Sequence, residues 1–273
     1  GAAQGEERAG SGAGAPWMAL FAPDAALREA LLAYPETSSV NDYTLGRFYE
    51  LAGGDAEEAA VYINKYVEWQ NSASYGVARV QDIDASTPGV AKQIKKAKCY
   101  LLNKESKDGC PIVLVRVCRH NPDDQTLDET TRFVCYALAV AEARLREPEI
   151  CQYSVLFDMS DASMSNVDYQ AVKRFVFLLT NYCPARLNSM LIYNAPSFFS
   201  RFCYPLIKPW LNPSTRDKVH FVSSSGEGLA EWTGAECLPT MYGGTDDFDY
   251  DEALSRGEAI TFPARREGAA FAA

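Results

Sequence analysis

The chain carries little positive charge for its 273 residues. It has 26 lysine and arginine residues against 36 aspartate and glutamate residues, which gives a formal net charge of −10 at pH 7 with histidine neutral. A nucleic-acid partner requires concentrated lysine and arginine to neutralise its phosphates. We therefore expect no nucleic acid as a partner and no permanent residence on an anionic bilayer.

Long apolar runs and closely spaced cysteine pairs are also missing. No run approaches the ~18 to 20 apolar residues of a membrane span, and the first residues lack a basic-then-apolar signal sequence. The eight cysteines include no C-x-x-C pair, so neither a zinc ribbon nor a dithiol redox motif is present. In a chain of this size, free buried thiols in a reducing compartment are favoured over a disulfide framework. We expect a soluble cytoplasmic protein that binds no metal.

A complete set of catalytic residues is missing as well. The two histidines, His120 and His220, are not near a G-x-S-x-G elbow, and the turn SSSGEG at 223–228 lacks the lysine of a phosphate-binding P-loop. Asp158 ends a predicted strand without the Asp-x-Asp-x-Thr pattern of metal-dependent phosphotransferases, so we interpret it as a loop-capping residue. The sequence therefore predicts a protein that is not an enzyme.

Four regions follow one another along the chain. Residues 1–22 are rich in glycine, alanine and glutamate and are predicted to be a disordered tail. Residues 23–75 show the pattern of three antiparallel helices in a small bundle. Strands alternate with helices over residues 76–248, which predicts an α/β fold with a mostly parallel sheet of about five strands and right-handed crossovers. Residues 249–273 are predicted to be an acidic, flexible tail.

The sheet-forming region contains five predicted strands. The segments KCYLLN and PIVLVRV form a hairpin-like pair, and YSVLFDM, LNSMLIYNA and KVHFVSS supply three more. Helices are predicted between these strands from about Asp128 to Arg146 and over VDYQAVKRFVFLLTNY. Residues 72–97 are predicted to be a linker that contains a short helix.

A strongly apolar segment follows the strand LNSMLIYNA. Pro196 suits the first position of a helix, where its missing N–H has no intrahelical partner to lose. The apolar residues after it recur on one helical face: Phe198, Phe199, Phe202, Cys203, Leu206, Ile207, Trp210 and Leu211. Pro205 and Pro209 prevent a straight, fully bonded helix, so we expect a kink or break near Tyr204 and again near Lys208. A kinked apolar helix suits a movable lid.

The strand ending in YNAP, the run KPWL followed by NPSTRDK, and the later ECLPTMYGGT resemble the carboxyl-terminal half of a CRAL-TRIO domain. The helical stretch TLGRFYELAGGDAEEAAVYINKYVEWQ resembles the region that precedes this domain, so the resemblance covers roughly Val40 to Asp247. The family comprises the secretory phosphatidylinositol and phosphatidylcholine transfer proteins and the retinal and tocopherol binders. The resemblance implies a gate helix over a cavity that holds one lipid, with no cofactor besides that lipid.

The resemblance also implies residues that contact the lipid headgroup. Thr215 and Lys218 correspond to the Thr and Lys that lie near the inositol phosphate in phosphatidylinositol-binding members. Arg186 is retained from a Pro-Glu-Arg triplet that reads Pro184-Ala185-Arg186 in this chain. A hydroxyl and two cations can bind a phosphate by charge-assisted hydrogen bonds.

The hydrophobic pocket is implied in the same way. The gate and pocket residues are Phe198, Phe199, Phe202, Leu206, Ile207, Trp210, Tyr153, Val155, Phe157 and Phe175. Tyr153 and Val155 stand where phosphatidylcholine-binding members have Ser and Thr, so the phosphatidylcholine mode is poorly supported. The segment from Pro196 to Lys208 is one residue longer than the usual gate, which is consistent with a change of helix register around Pro205.

Two functions remain open at this stage. The first is an intracellular lipid-binding or transfer protein, which sequesters one phospholipid, with phosphatidylinositol as a candidate, and exchanges it during transient contact with a membrane surface. The second is a non-transferring interaction or tethering module, for which the acidic run DDFDYDE at 246–252 offers a surface for a protein partner. The lysines in KQIKKAK, which are Lys92, Lys95, Lys96 and Lys98, either steer the protein to anionic headgroups or form an ordinary solvated face.

Overall fold

A computed structural model of the chain describes residues 25–147, 149–223 and 228–255. The predicted tail at 1–22 and the part of the second predicted tail after residue 255 lie outside these residues. Within the three described ranges, no helix is both long enough and apolar enough to cross a membrane.

The amino-terminal helices form the predicted small bundle. It consists of α1 (Ala25–Leu31), α2 (Asp42–Leu51) and α3 (Ala56–Asn71), with a 3-10 turn at Pro35–Ser39 between the first two. Asn41 and Asp55 cap α2 and α3 by accepting hydrogen bonds from backbone N–H groups three residues later, at 2.8 and 3.0 Å. Buried apolar residues join the helices into one core: Leu27, Leu45, Phe48, Ala59, Ile63 and Tyr66.

A five-stranded sheet follows the bundle. Its strands are β1 (Cys99–Leu101), β2 (Ile112–Arg116), β3 (Tyr153–Asp158), β4 (Leu187–Tyr193) and β5 (Val219–Val222), and they neighbour one another in that order. β1 runs antiparallel to β2, whereas the other pairs are parallel. The predicted hairpin-like pair and the predicted mostly parallel sheet are therefore confirmed.

Helices connect the strands as predicted. The linker contains the short helix α4 (Val90–Lys95), and α5 (Leu127–Glu142) and α6 (Tyr169–Tyr182) are the two crossover helices. A capping box between Thr126 and Glu129 starts α5. The helix ends before the predicted Arg146, because Arg146 exchanges two backbone hydrogen bonds with Ile150, at 2.9 and 3.0 Å, instead of continuing the helix.

The far face of the sheet is covered by the carboxyl-terminal part of the chain. The helix α9 (Gly228–Thr233), the turns that follow it and the helix α10 (Tyr250–Ser255) supply the second core cluster, which includes Leu229, Leu238, Tyr242 and Tyr250. This corrects the start of the predicted flexible tail at residue 249. Tyr250 is buried and Asp251 pairs with Arg116 and Arg119, so residues 250–255 are a docked helix.

Candidate functional site

An apolar cavity of about 240 Å³ lies between the near face of the sheet and the helices that cover it. Residues two apart in a strand point to the same face, so the sheet lines the cavity with alternate side chains. These are Val113, Val115, Val155, Phe157, Met190 and Ile192. Across the cavity, α5 contributes Phe133, Val134, Ala137 and Leu138, and α6 contributes Ala171, Val172, Phe175 and Val176.

Part of the remaining wall is the segment from Pro196 to Leu211, which we call the gate segment. After two helical residues at 197–198 it forms a π-helix (Phe199–Cys203), continues as the short α-helix α7 (Tyr204–Ile207) and ends as a 3-10 turn (Lys208–Trp210). The backbone thus changes type at Tyr204 and at Lys208, as predicted, because Pro205 and Pro209 each lack an N–H donor. A π-turn accommodates one extra residue, which agrees with the predicted change of register.

The gate segment has two apolar sides. Phe199, Ile207 and Leu211 line the cavity, and Cys203 lies between them and is fully buried. The other side is exposed to solvent and carries Phe202, Leu206 and Trp210, with exposed fractions of 68%, 58% and 36%. We call these three residues the outer stripe.

The structure brings together half of the predicted pocket residues. Val155, Phe157, Phe175, Phe199 and Ile207 line the cavity. The others do not: Phe202, Leu206 and Trp210 form the outer stripe, Phe198 is half-buried outside the lining, and Tyr153 is fully buried outside it. The sequence pattern marked the gate segment correctly as apolar but did not distinguish its inner from its outer side.

Arg186 is placed away from the cavity, in a buried ionic cluster. Its guanidinium bonds the carboxylate of Glu147 and the carbonyl oxygen of Cys151, the latter at 3.0 Å, and lies 3.5 Å from Glu142. Burial alone lowers the pKa of Arg186, but the two carboxylates more than compensate and raise it above its usual value. We correct the predicted headgroup role, because a guanidinium that is 1% exposed and held by two glutamates is not available to a ligand in the cavity.

Thr215 and Lys218 lie at the amino-terminal end of β5. Thr215 belongs to the short helix α8 (Pro213–Asp217), in which its backbone N–H donates to the Asn212 side chain at 2.7 Å. The Lys218 ammonium donates to the carbonyl oxygen of Leu187 at 2.6 Å. Burial lowers the pKa of Lys218 and the nearby carboxylate of Glu50 opposes that shift. Both residues lie outside the lining of the cavity.

Sequence reasoning missed a polar group on the cavity wall. Lys98, His120 and Asp168 all line the cavity. The sequence alone places Lys98 with the lysines around α4 and offers His120 only as a catalytic base. Lys98 directly precedes the buried strand β1, whereas Lys92 and Lys95 lie on α4 and are exposed. Position next to a buried strand was the only signal in the sequence, and no motif marks these residues.

Asp158 has the predicted capping role. One of its carboxylate oxygens accepts a hydrogen bond from the backbone N–H of Ser160 at 2.9 Å, and the other accepts from the hydroxyl of Tyr242 at 2.7 Å. Tyr242 belongs to the LPTMYGG motif, so this contact fixes the motif against the end of β3. The turn of this motif requires glycine at position 244, because a Cβ there would lie 2.0 Å from the carbonyl oxygen of Leu238.

Known proteins resemble this chain in sequence and in fold. Phosphatidylinositol transfer protein CSR1 of Eremothecium gossypii is 34% identical over 168 residues, which are 61% of this chain and 37% of that protein. A CRAL-TRIO domain-containing protein of Schizosaccharomyces pombe is 26% identical over 212 residues, 77% of this chain and 47% of that protein. The chain therefore spans less than half the length of either relative. The crystal structure of Sfh5 superposes with a TM-score of 0.66 at 13% identity and 88% coverage of both chains, which shows a shared fold.

The family model of the CRAL/TRIO domain matches residues 94–244. This range extends from the end of α4 through all five strands and the gate segment to the GG turn. It includes the elements that line the cavity, from β2 to the gate segment. The chain belongs to the CRAL/TRIO domain family.

Proposed function

We propose that this protein holds one lipid in the cavity and exchanges it at membranes when the gate segment moves aside. The observation that carries the proposal is the apolar cavity, which is bounded by the gate segment in a member of the CRAL/TRIO domain family. The relative CSR1 is named a phosphatidylinositol transfer protein, which supports a phospholipid, and phosphatidylinositol in particular, as the ligand.

Burial of the acyl chain supplies the driving force for holding the lipid. Each methylene moved out of water contributes about 0.8 kcal/mol, so ten acyl carbons contribute roughly 8 kcal/mol. Release into water would lose all of this free energy, whereas release into a bilayer would lose little of it. Exchange therefore requires the gate segment to open in contact with a membrane, where the outer stripe offers apolar side chains to the bilayer.

Thr215 and Lys218 remain the proposed contacts for a phosphorylated headgroup. A phosphate at this position would compete with Glu50 for the Lys218 ammonium, and it would gain charge-assisted hydrogen bonds if it displaced that carboxylate. Charge reversal at Lys218 should then weaken binding of phosphatidylinositol while leaving a ligand without phosphate unaffected. An equal loss of affinity for both ligands would contradict the proposed headgroup contact.

Extraction of the native protein tests the function itself. Organic solvent should release about one lipid per protein, and mass spectrometry of the extract should identify its headgroup and chains. A transfer assay between donor and acceptor vesicles then separates the two functions that the sequence left open. A stoichiometric lipid with no transfer would favour a tethering module, and a protein that carries no lipid and takes up none from vesicles would contradict the proposal.

A further inference from the structure

Three polar residues lie at one end of the cavity, whose surface is otherwise almost entirely apolar. Lys98, His120 and Asp168 line it where β1 begins and α6 starts, whereas the sheet face and the facing sides of the crossover helices are apolar. Lys98 is only 5% exposed, so its ammonium is separated from bulk water. One buried cation at the end of an otherwise apolar lining matches the structure of an amphiphile.

Hydrogen bonds define the protonation of this polar end. The Nε2 atom of His120 lies 3.2 Å from a carboxylate oxygen of Asp168, which accepts only, so Nε2 carries the proton. The Nδ1 atom therefore accepts, and it lies 3.0 Å from the Gln125 amide nitrogen and 3.4 Å from the Lys98 ammonium. Burial lowers the pKa of His120, and the ammonium of Lys98 lowers it further, so the ring is neutral at pH 7.

The Lys98 ammonium lacks a carboxylate partner within 4.0 Å among the residues that the structure describes. Its bonded partners are neutral: the Gln125 side-chain oxygen at 3.0 Å and His120, with the ring of Phe133 centred 5.2 Å away. The neutral imidazole has a single acceptor lone pair, which the closer Gln125 amide occupies, so the Lys98 ammonium keeps at least one N–H for a group in the cavity. Burial lowers the pKa of Lys98 to about 8, as expected for a cation that has lost water without gaining an anion.

Neighbouring charges do not neutralise this ammonium directly. Asp168 is engaged at both oxygens, one with His120 and the other with the backbone N–H of Ala171 at 2.8 Å. Lys96 and Asp124 lie nearby and pair with each other. The adjacent Cys99 thiol is buried, and burial raises its pKa to about 12, so it stays neutral.

This polar end is not the proposed headgroup position at Lys218. The carbonyl of Lys98 accepts a hydrogen bond from the N–H of Arg116, at the carboxyl end of β2, whereas Lys218 bonds Leu187, at the amino end of β4. β2 and β4 both run parallel to β3, so Lys98 lies at the carboxyl ends of the parallel strands and Lys218 lies at their amino ends.

We propose that Lys98 binds an oxyanion, either a carboxylate or a phosphate, at the end of an amphiphile whose hydrocarbon chain fills the apolar part of the cavity. This inference rests on the proposed function, because it assumes that the cavity holds a lipid. It offers Lys98 as an alternative to Thr215 and Lys218 for the single oxyanion of that lipid, because one headgroup cannot lie at both ends of the strands. It thereby specifies the chemical class of the lipid and the direction in which it lies. Gln125 and His120 act as positioning residues that hold the ammonium at the cavity wall.

The test compares oleate with oleyl alcohol, which share one hydrocarbon chain and differ in charge, as ligands of the delipidated protein. Lys98→Met should weaken oleate binding by about tenfold or more, as expected for loss of a charge-assisted hydrogen bond, and should leave oleyl alcohol within about twofold. Lys98→Arg should retain oleate binding. Oleoyl lysophosphatidate, tested in the same way, distinguishes a phosphate ligand from a carboxylate ligand.

A pH series gives a second measurement that does not depend on how well Lys98→Met folds. Oleate affinity of the wild type should fall between pH 8 and pH 10 as the ammonium loses its proton, whereas Lys98→Arg should show no such fall. An unchanged oleate affinity in Lys98→Met, or an equal loss for oleate and oleyl alcohol, would overturn the inference. If the wild type binds none of the three amphiphiles but still takes up phosphatidylinositol from vesicles, the inference fails and the proposed function stands.

Discussion

Two buried arginines join the helical bundle to the sheet-containing part of the molecule. Arg47, on α2, donates to the Thr44 hydroxyl at 2.9 Å and reaches the carbonyl oxygen of Pro184 at 3.5 Å, two residues before Arg186. Burial and the charge of Arg186 lower the pKa of Arg47, and the carboxylate of Glu142 opposes that shift. The cluster therefore depends on a balance between two cations and their carboxylate partners.

Removal of Arg186 should strongly destabilise the protein. Arg186→Met would leave Glu142 and Glu147 without their cation in a buried site, and breaking a buried ion pair on one side costs about 3–5 kcal/mol. Urea unfolding measures the loss. Arg79→Met is the matched control, because the Arg79–Asp82 pair is half-exposed and should contribute no more than about 1 kcal/mol. An Arg186→Met protein of wild-type stability would contradict the structural role.

Asp251 should make the docking of α10 sensitive to acid. Burial opposes ionisation of this carboxyl, but hydrogen bonds from Arg119 and Tyr100 outweigh it and lower the pKa of Asp251 to about 2. Its pKa in the unfolded chain is about 3.9, so its stabilising effect is complete above about pH 4 and is lost as the pH falls toward 2. The stability difference between the wild type and Asp251→Asn should therefore shrink over this range.

Urea unfolding at pH 7, 4 and 2.5 measures that difference. Asp247→Asn is the control, because Asp247 is exposed and the same substitution there should change stability little at any of these pH values. A difference between Asp251→Asn and the wild type that stays constant from pH 7 to pH 2.5 would show that the ion pairs with Arg116 and Arg119 contribute nothing through their charge.

At the scale of elements, a substitution on the outer stripe of the gate segment should reduce lipid exchange without reducing the stability of the fold. Phe202→Asp places a charge on the outer stripe, where little packing is lost but insertion into a bilayer becomes unfavourable. Transfer between vesicles should fall at least tenfold while the melting temperature changes little. Met241→Asp is the control, because Met241 is similarly exposed, at 62%, and lies outside the gate segment. Equal losses of transfer in both variants would remove the specific role of the outer stripe.

The sequence predicted these elements to different degrees. The strands β1 to β4 were recoverable because their apolar runs are mostly buried. The breaks at Tyr204 and Lys208 followed from prolines that lack N–H donors. The inner and outer sides of the gate segment were not recoverable, because a π-turn rotates the residues after it relative to a regular α-helix. The docking of Asp251 was missed because its arginine partners lie more than a hundred positions earlier in the chain.

Contacts between residues that are far apart in the chain also limited what the sequence could predict of the candidate site. The resemblance to a family located the cavity wall through Val155, Phe175 and Ile207, since those positions belong to elements of known arrangement. The burial of Lys98 and Arg186 depends on which side chains surround them in three dimensions, and neither lysine nor arginine carries a local pattern that reveals it. Only the structure therefore shows that Lys98 lines the cavity and that Arg186 lies outside it.

For the whole molecule, net charge should determine how the rate of lipid transfer depends on the charge of the acceptor membrane. At a formal net charge of −10 the protein is repelled by anionic vesicles over distances comparable to the Debye length, about 30 Å at 0.01 M salt and about 3 Å at 1 M. Transfer to acceptor vesicles that contain phosphatidylserine should be slower than transfer to pure phosphatidylcholine vesicles at low salt. The two rates should converge at 0.5 M salt, and the rate with neutral vesicles should hardly change. Faster transfer to anionic vesicles at low salt would instead show that a local basic surface, such as the exposed Lys92 and Lys95 of α4, dominates the encounter despite the overall charge.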